Sequence, residues 1–361
     1  MNNLKLSVCI ATLNRSSFIG ATLESIISQA TDEVEIVVLD GASTDGTQHV
    51  VRRYQERFPR LRYFCQKANM GVDRDFAAAV ALAQGQYCWL FSDDDVLMPG
   101  AIQTVLDAIN GGYALIIANA EVRNADLSKV LQPQRLILNA NRIYELGESD
   151  RLLADVGGYL SFIGCVIIKR ELWDAREKEK YFGSFFIHVG VIFQSPLPEQ
   201  ALAIAKPLIS IRYGNASWLE KYFEIWMFKW PSLIWSFGDY PYAAKLRVCR
   251  EEPWRRLKTL LLQRAKGAYT INMYRKWLEP RLESFSARAA SKAIAYFPGR
   301  IANLLALIYL SFFIRGSTRL LELLDLTDSP VYIGRFRKRR PIVSERQPSL
   351  RVSQELRRSD L

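Results

Sequence analysis

The segment Tyr87–Asp95 begins as an apolar run and ends in three consecutive aspartates, Asp93, Asp94 and Asp95. The run Gln86–Phe91, which overlaps the first part of this segment, has the length and composition of a buried strand. Adjacent carboxylates in a cleft repel one another and lose hydration, which is unfavourable unless a cation compensates them. A divalent cation with oxygen ligands would do so, and it would in turn bind a phosphate group. We predict that a buried strand ends at a ligand site here; a solvated acidic turn is the alternative.

Short apolar runs alternate with stretches of helical spacing over the first 120 residues. The predicted strands are Leu6–Ala11, Glu35–Leu39, Leu61–Gln66, Gln86–Phe91 and Ala114–Ala118. The predicted helices are Phe18–Gln29, Gln48–Phe58, Phe76–Ala83 and Ala101–Ile109. This alternation predicts an α/β fold with a mostly parallel sheet and helices on both faces. In such a sheet ligands bind beyond the carboxyl ends of the strands, where the loops Thr12–Arg15, Asp40–Thr47 and Asp93–Asp95 are expected to meet.

Positive charge is concentrated in the last third of the chain. Residues 1–250 contain 26 Lys and Arg against 27 Asp and Glu, whereas residues 251–361 contain 22 against 10. We expect an α/β domain over residues 1–220 and a helical, aromatic and basic region over 221–334 that contacts a membrane. Residues 335–361 are expected to be a basic tail without fixed structure. Nucleic acid is not an expected partner, because no recognition fold accompanies the basic region.

The stretch Ile301–Ile314 is apolar almost throughout and is flanked by Arg300 and Arg315. It is shorter than the roughly 18 residues that a spanning helix needs. An interfacial helix, a re-entrant helix and a core helix therefore all remain open. We see neither a secretory leader nor a spanning run, and the five cysteines form no CxxC pair. A cytoplasmic protein is expected.

Two common nucleotide-binding motifs are absent from the sequence: there is no GxxxxGK[ST] loop, and no GxGxxG follows the first strand. The predicted sheet instead offers Asp40 at the end of its second strand and Asp93–Asp95 at the end of its fourth. One carboxylate can accept hydrogen bonds from a base or a ribose hydroxyl. Another can hold Mg or Mn against a diphosphate and so help that group to leave.

Four segments, in this order and spacing, resemble the family 2 glycosyltransferases of the GT-A fold over roughly residues 4–120. They are Ser7–Arg15, Glu35–Thr47, Asn69–Asp73, and Ser92–Asp95 with Pro99–Gly100. Within that family, the segment Tyr213–Trp218 and the surroundings of His188 are most similar to bacterial O-antigen sugar transferases of the abequosyltransferase type. This resemblance implies a nucleotide-diphospho-sugar donor, Mn or Mg as cofactor, and a location on the cytoplasmic face of the inner membrane.

The resemblance also implies a role for each matching position. Ala11, Thr12 and Asn14 would line the nucleotide pocket, Asp40 would contact the base or the ribose, and Asp73 would form a polar border of the nucleotide. Asp93 would contact the ribose, Asp94 would bind the metal, and Asp95 would be a supporting or acceptor-side carboxylate. Arg212, Asn215 and Trp218 are expected to flank the acceptor or the diphosphate.

The sequence departs from the family pattern in two places. Many members have a second Asp where this chain has Gly41, and many have a Glu-Asp pair carrying the general base where this chain has Phe186–Val189. An inverting transfer needs a base for the acceptor hydroxyl, and His188 lies in that region with a suitable ordinary pKa. A metal ligand or a core histidine is the alternative for His188. Asp95 and Glu199 are the other candidate bases.

We therefore expect a metal-dependent glycosyltransferase that moves a sugar, with inversion, from a nucleotide-diphospho-sugar to a hydroxyl of a (poly)prenyl-linked glycan in cell-surface polysaccharide synthesis. Its other partner would be the inner membrane surface. A nucleotidyltransferase is one alternative, although Ala11–Arg15 lacks the glycine- and lysine-rich loop that such an enzyme normally has. A non-catalytic, membrane-associated interaction protein that retains the fold is the other.

Overall fold

The computed structural model describes residues 4–215, 221–313, 319–332 and 334. Ten strands form one mixed sheet in which the main path runs β3-β2-β1-β4-β9-β6-β10-β5, with β7 paired to β6 and β8 to β10. The strands are β1 (Leu6–Thr12), β2 (Val34–Asp40), β3 (Leu61–Cys65), β4 (Tyr87–Phe91), β5 (Val96–Leu97), β6 (Leu115–Arg123), β7 (Val130–Gln132), β8 (Arg142–Tyr144), β9 (Val166–Lys169) and β10 (Ala201–Arg212).

Helices connect the strands and continue to the end of the described chain. The α-helices are α1 (Ile19–Ile27), α2 (Thr47–Arg57), α3 (Val72–Leu82), α4 (Ala101–Ile109), α5 (Ser149–Val156), α6 (Arg170–Ala175), α7 (Ile187–Phe193), α8 (Tyr222–Glu224), α9 (Trp230–Trp235), α10 (Tyr242–Val248), α11 (Leu257–Ala265), α12 (Ile271–Met273), α13 (Phe285–Tyr296), α14 (Gly299–Phe313) and α15 (Arg319–Asp328). Shorter turns are the 3₁₀ helices Tyr159–Ser161, Ile163–Cys165, Glu179–Tyr181 and Pro253–Arg255, and the π-helical stretches Ile225–Lys229 and Tyr274–Leu278.

Strand β1 lies between β2 and β4, and all three run parallel, as does β3 at the edge. Every residue of β2 and β4 is buried. Both faces of these strands are therefore covered, which explains why they are continuous apolar runs rather than alternating ones. Their carboxyl ends meet at one edge, as the sequence predicts.

Side chains that alternate along the central strands enter two separate cores. Val8 and Ile10 pack on the side covered by α1, α2 and α4, whereas Cys9 packs on the side covered by α3, α5 and α7. Each fully buried aliphatic side chain contributes about 1.5–3 kcal/mol. The predicted arrangement of helices on both faces is confirmed.

The middle of the sheet differs from a purely parallel one. The run Val166–Ile168 lies in β9, and β9 runs antiparallel between β4 and β6. The long strand β10 was not predicted at all, because Lys206 and Pro207 interrupt its apolar pattern. Proline cannot donate to a sheet ladder, and the register of β10 against β6 shifts at Pro207.

The core continues beyond residue 220, where we expected the α/β domain to end. Ile225, Trp230, Ile234 and Ala244 belong to the same buried cluster as the residues of the sheet. From α11 onward the helices instead pack in smaller clusters, one of which also includes Phe223 and Met227. The predicted tail, residues 335–361, lies outside the described residues.

Among the described residues, no single helix has both the length and the apolarity needed to cross a membrane. Helices α13 and α14 meet those criteria only when taken together, and their axes meet at an angle of 94°.

Candidate functional site

Four loops converge at the carboxyl edge of the parallel strands. They follow β1, β2, β4 and β10, and the last of them places Arg212 and Asn215 against the aspartates that follow β4. Two loops after adjacent strands are further linked side by side, since the amide of Thr44 donates to Asn14 Oδ1 at 2.8 Å. The sequence predicted the first three loops; the contribution of β10 required the fold.

Asp93 and Asp94 share the guanidinium of Arg15. Arg15 Nε lies 3.4 Å from Asp93 Oδ1, and Arg15 Nη2 lies 3.7 Å from Asp94 Oδ2. Asn215 Nδ2 donates to Asp94 Oδ2 at 2.8 Å. Burial raises the pKa of Asp93 to about 7, and the Asp94 charge adds to the shift. Burial also raises the pKa of Asp94, against the attraction of Arg15 and Arg212. Cationic groups near the Asp93 and Asp94 carboxyls would therefore stabilise their charged forms.

Asp95 is more deeply buried than its two neighbours. Its Oδ1 accepts the backbone N–H of Arg212 at 2.8 Å, and its Oδ2 accepts the hydroxyl of Ser92. Only 3% of Asp95 is exposed, and burial raises its pKa to about 8. Both carboxylate oxygens already accept hydrogen bonds inside the protein. Asp95 therefore holds the end of β4 against the end of β10.

Two arginines lie over the ring of Phe18 at this edge. The guanidinium carbon of Arg15 is 5.7 Å from the ring centroid, and that of Arg212 is 5.4 Å away. Arg212 Nε also donates to the backbone carbonyl of Asp94 at 2.9 Å. Sequence reasoning assigned no role to Arg15. The signal for it was an arginine in the loop that directly follows the first strand.

Asp40 is fully buried at the end of β2. Its Oδ1 accepts the backbone N–H of Ser43 at 2.7 Å, and its Oδ2 accepts the hydroxyl of Tyr63 at 2.7 Å. These bonds shape the loop after β2. Ala11 and Thr12, at the end of β1, lie beside this loop, since the N–H of Gly41 donates to the carbonyl of Thr12 at 2.9 Å.

Gly41 leaves room for a carboxylate from another element. A Cβ built at position 41 would lie 3.0 Å from Asp75 Oδ2, a tight contact. Burial, together with the nearby charges of Asp40 and Asp73, raises the pKa of Asp75 to about 6. Asp75, on α3, thus brings an acidic group to the place where the resembling family carries its second Asp.

Asp73, in the first turn of α3, holds the loop that precedes α7. Its Oδ2 accepts the N–H groups of Gly183 at 2.8 Å and Phe185 at 2.9 Å, and its Oδ1 accepts that of Ile187 at 3.1 Å. Phe185 has a φ of 72°, which is strained for a bulky residue. The bonds observed for Asp73 are therefore to protein; the expected contact with a nucleotide stays a prediction.

His188 lies inside the molecule, and this placement corrects its expected role as general base. It is 1% exposed, and its Nε2 is 2.7 Å from the carbonyl oxygen of Leu160, which makes Nε2 the donor. Burial lowers the pKa of His188 to about 4. An acceptor hydroxyl has no access to this ring, and its weak basicity disfavours proton uptake. The core histidine, one of the alternatives, agrees with the structure.

Glu199, another candidate base, lies at the wrong edge of the sheet. It pairs with Lys169, at the end of antiparallel β9, and Lys169 is opposite Tyr87 at the start of β4. Glu199 is therefore near the amino ends of the parallel strands, on the far side from Asp94. Trp218, expected near the acceptor, lies outside the described residues.

The carboxylates at the site suit a cation whose remaining ligands come from a bound diphosphate. Across the part of the chain that the structure describes, no three His, Cys, Asp or Glu side chains cluster as a metal site. Mg²⁺ is commonly held by one or two carboxylates together with substrate phosphates and water. Asp94, with Asp93 beside it, meets that requirement, and Arg15 and Asn215 hold these oxygens in place.

Sequence comparison identifies the family to which this chain belongs. Residues 7–170 match the model of glycosyl transferase family 2. The chain is 30% identical over 230 residues to abequosyltransferase RfbV of Salmonella typhimurium, covering 60% of this chain and 69% of that protein. It is also 30% identical over 182 residues to a GalNAc(5)-diNAcBac-PP-undecaprenol beta-1,3-glucosyltransferase of Campylobacter jejuni, covering 50% and 57%.

Solved structures with the same fold include two that hold nucleotide-sugars. S. aureus TarS 1-349 in complex with UDP-GlcNAc superposes with a TM-score of 0.53 at 16% identity, over 86% of this chain and 93% of that chain. The mannosyltransferase PcManGT from Pyrobaculum calidifontis, in complex with GDP-Man and Mn²⁺, gives 0.51 at 17% identity, over 90% and 86%. These similarities show the GT-A fold. Together with the sequence matches, they establish that the chain belongs to the family 2 glycosyltransferases.

Proposed function

We propose that this glycosyltransferase is metal-dependent and moves a sugar from a nucleotide-diphospho-sugar to a hydroxyl of a lipid-linked glycan, with inversion at the anomeric carbon. The observation that carries the proposal is the convergence of Asp93 and Asp94 with Arg15 and Asn215 at the carboxyl edge of the sheet. The assignment to the glycosyltransferase family excludes the alternative of a nucleotidyltransferase.

Three loops would divide the binding of the donor among them. The loops after β1 and β2, which are hydrogen-bonded to each other, would hold the nucleoside. Ala11, Thr12 and Asn14 would line one side of this nucleoside pocket. Asp93 would bind the ribose, and Asp94 would hold Mn or Mg, which neutralises the diphosphate as it leaves. Arg15, once the cation binds the aspartates, would be free to donate to a phosphate oxygen, because a guanidinium fits phosphate geometry.

The acceptor side of the proposal is supported by the relatives. One of them is named for transfer to an undecaprenol-diphosphate-linked glycan and another for abequose transfer. By analogy, the acceptor of this chain would be a glycan on a polyprenyl carrier, used in cell-surface polysaccharide synthesis. The anomeric configuration of the isolated product tests inversion.

The experiment for donor binding is thermal stability with each nucleoside diphosphate, with and without Mn²⁺. A ligand that binds only the folded state adds about 2.7 kcal/mol at a hundredfold excess over its Kd. We expect one nucleotide to stabilise the protein, and to do so only with the metal. If no nucleotide raises the melting temperature under any metal condition, the proposal fails and the non-catalytic interaction protein becomes the better interpretation.

We also propose that α14 lies in the surface of the inner membrane, on its cytoplasmic face. Ile301, Leu305, Ile308 and Phe312 recur along one side of α14 and are 48%, 54%, 45% and 75% exposed. The opposite side is packed, with Asn303 Nδ2 bonded to the carbonyls of Ala265 and Leu326 at 3.0 and 2.9 Å. Lys258 lies beside this helix, with its Nζ 3.0 Å from the hydroxyl of Tyr309. An exposed apolar stripe with a basic neighbour suits an anionic lipid surface.

Replacing Leu305 and Ile308 together by Glu is expected to reduce binding to anionic phosphatidylglycerol vesicles at least tenfold, because two apolar side chains would no longer enter the lipid. Vesicle co-sedimentation measures this. The matched control is Ile137→Glu, at a residue 72% exposed and outside the C-terminal helices. Equal binding of all three proteins would exclude α14 as the membrane-contacting element.

A further inference from the structure

The loop that follows β10 is attached to two parts of the molecule. On one side, Asn215 Nδ2 donates to Asp94 Oδ2 at 2.8 Å. On the other, the hydroxyl of Tyr213 donates to Asp325 Oδ1 on α15. Gly214, between these two residues, has a φ of 95°, a left-handed conformation that allows the chain to turn there. A single short loop therefore joins the candidate metal ligand to a helix near the end of the described chain.

A buried lysine holds Asp325 in place. Lys266, directly after α11, has only 9% of its side chain exposed, and its Nζ lies 2.7 Å from Asp325 Oδ2 and 2.8 Å from Glu322 Oε2. Burial and the charge of Asp325 raise the pKa of Tyr213, so its hydroxyl keeps the proton and is the donor. Desolvation offsets much of the attraction in a buried ion pair. We therefore expect Lys266 to fix where the Asp325 carboxylate lies more than to add stability.

Helix α15 is bonded to the neighbouring helices by contacts that do not involve Tyr213. Asn303, fully buried on α14, donates from Nδ2 to the carbonyls of Ala265 and Leu326 at 3.0 and 2.9 Å. Ala265 is the last residue of α11, and Leu326, on α15, is fully buried as well. Since these bonds join α11, α14 and α15 to one another, α15 provides a fixed support for the loop.

Two backbone bonds fix the beginning of this loop. The N–H of Arg212 donates to Asp95 Oδ1 at 2.8 Å, and the N–H of Tyr213 donates to the carbonyl of Arg123 at 2.9 Å. Asn215 lies two residues further along, past the turn. The bond made by the Tyr213 side chain therefore limits how far the backbone before Asn215 can move. Groups that orient a metal ligand commonly change metal affinity or activity by about 10- to 100-fold when they are removed.

We propose that Asp325, held by Lys266, is a positioning residue for the metal site: through the hydroxyl of Tyr213 it fixes the loop from which Asn215 orients Asp94. The inference rests on the proposed binding of Mn or Mg by Asp94. Asp325 itself would contact neither the donor nor the metal. The C-terminal helices would thus support the donor site, in addition to the contact with lipid proposed for α14.

Two substitutions, Tyr213→Phe and Asp325→Ala, each remove one partner of the bond between loop and helix. Glu322→Ala is the matched control, because it takes the other carboxylate away from Lys266 and leaves the bond of Tyr213 intact. In the full chain, thermal stability is followed at a fixed concentration of the stabilising nucleoside diphosphate while Mn²⁺ is titrated. Hydrogen exchange of a peptide that contains residues 212–215, measured by mass spectrometry without ligand, reports on the loop itself.

We expect Tyr213→Phe and Asp325→Ala to raise the Mn²⁺ concentration that gives half of the stabilisation by about tenfold or more, and to speed exchange of the loop peptide. The double variant should be no worse than Asp325→Ala, because both changes remove the same bond. Glu322→Ala should keep the native values. An unchanged Mn²⁺ requirement in Tyr213→Phe overturns the inference, and so does an equal loss in Glu322→Ala.

The exchange measurement separates this inference from the proposed function. In a protein that no nucleotide stabilises, faster exchange in Tyr213→Phe and Asp325→Ala, but not in Glu322→Ala, would support the attachment of the loop to α15 and reject the metal-dependent transfer. Unchanged exchange in such a protein would overturn both.

Discussion

Asp94→Asn is expected to reduce sugar transfer about a thousandfold. Asp94 is the carboxylate that Asn215 orients at 2.8 Å and that Arg15 approaches at 3.7 Å. The amide keeps the shape of the side chain but loses the charge that holds a divalent cation, and such a cation contributes several kcal/mol to stabilisation of developing charge. The rate is measured as release of nucleoside diphosphate, with and without acceptor, from nucleotide-sugars that carry the nucleotide identified by thermal stability.

Removal of the metal provides an independent arm of the same experiment. EDTA should lower the rate of the native enzyme to that of Asp94→Asn, and it should have little further effect on the variant. Asp107→Asn is the control, since Asp107 is an exposed residue on α4. If Asp94→Asn kept full metal-stimulated turnover, Asp94 would not be the metal ligand, and Asp93 would be the next candidate.

Asp73→Asn is expected to lower the free energy of unfolding by about 2–4 kcal/mol. Three backbone N–H groups, of Gly183, Phe185 and Ile187, donate to this carboxylate, and one of its oxygens becomes a donor in the variant. A buried donor left without a partner costs about 1–3 kcal/mol. The loss would also release the strained conformation of Phe185. Urea denaturation, followed by circular dichroism, measures the change through the midpoint.

Asp75→Asn is the control for this loss, because it makes the same chemical change two residues further along α3. Burial raises the pKa of both carboxyl groups, but Asp75 accepts a side-chain bond from Gln66 Nε2 at 3.0 Å where Asp73 accepts three backbone N–H groups. Its neutralisation should therefore change stability little or increase it. A midpoint for Asp73→Asn that equals that of Asp75→Asn would show that the loop before α7 is held by other contacts.

Local sequence pattern was sufficient for the first four strands. The predicted bounds agree with β1 to β4 within one residue at each end. These strands are buried on both faces and bounded by turn-forming residues, so their apolar runs carry a clear signal. The order of motifs along the same stretch was also sufficient to indicate the family, since it depends on residue identity and spacing alone.

The sequence determined, without the fold, that an α/β sheet would end in aspartates at its carboxyl edge. Only the tertiary structure decided which partners those aspartates have. Arg15 and Asn215 are 200 residues apart, yet Arg15 Nη1 bonds the carbonyl of Asn215 at 3.1 Å beside Asp94. It also decided that His188 is buried and that Asp75 stands against Gly41. Contacts between distant segments depend on strand order and helix packing, and neither is encoded in any local pattern.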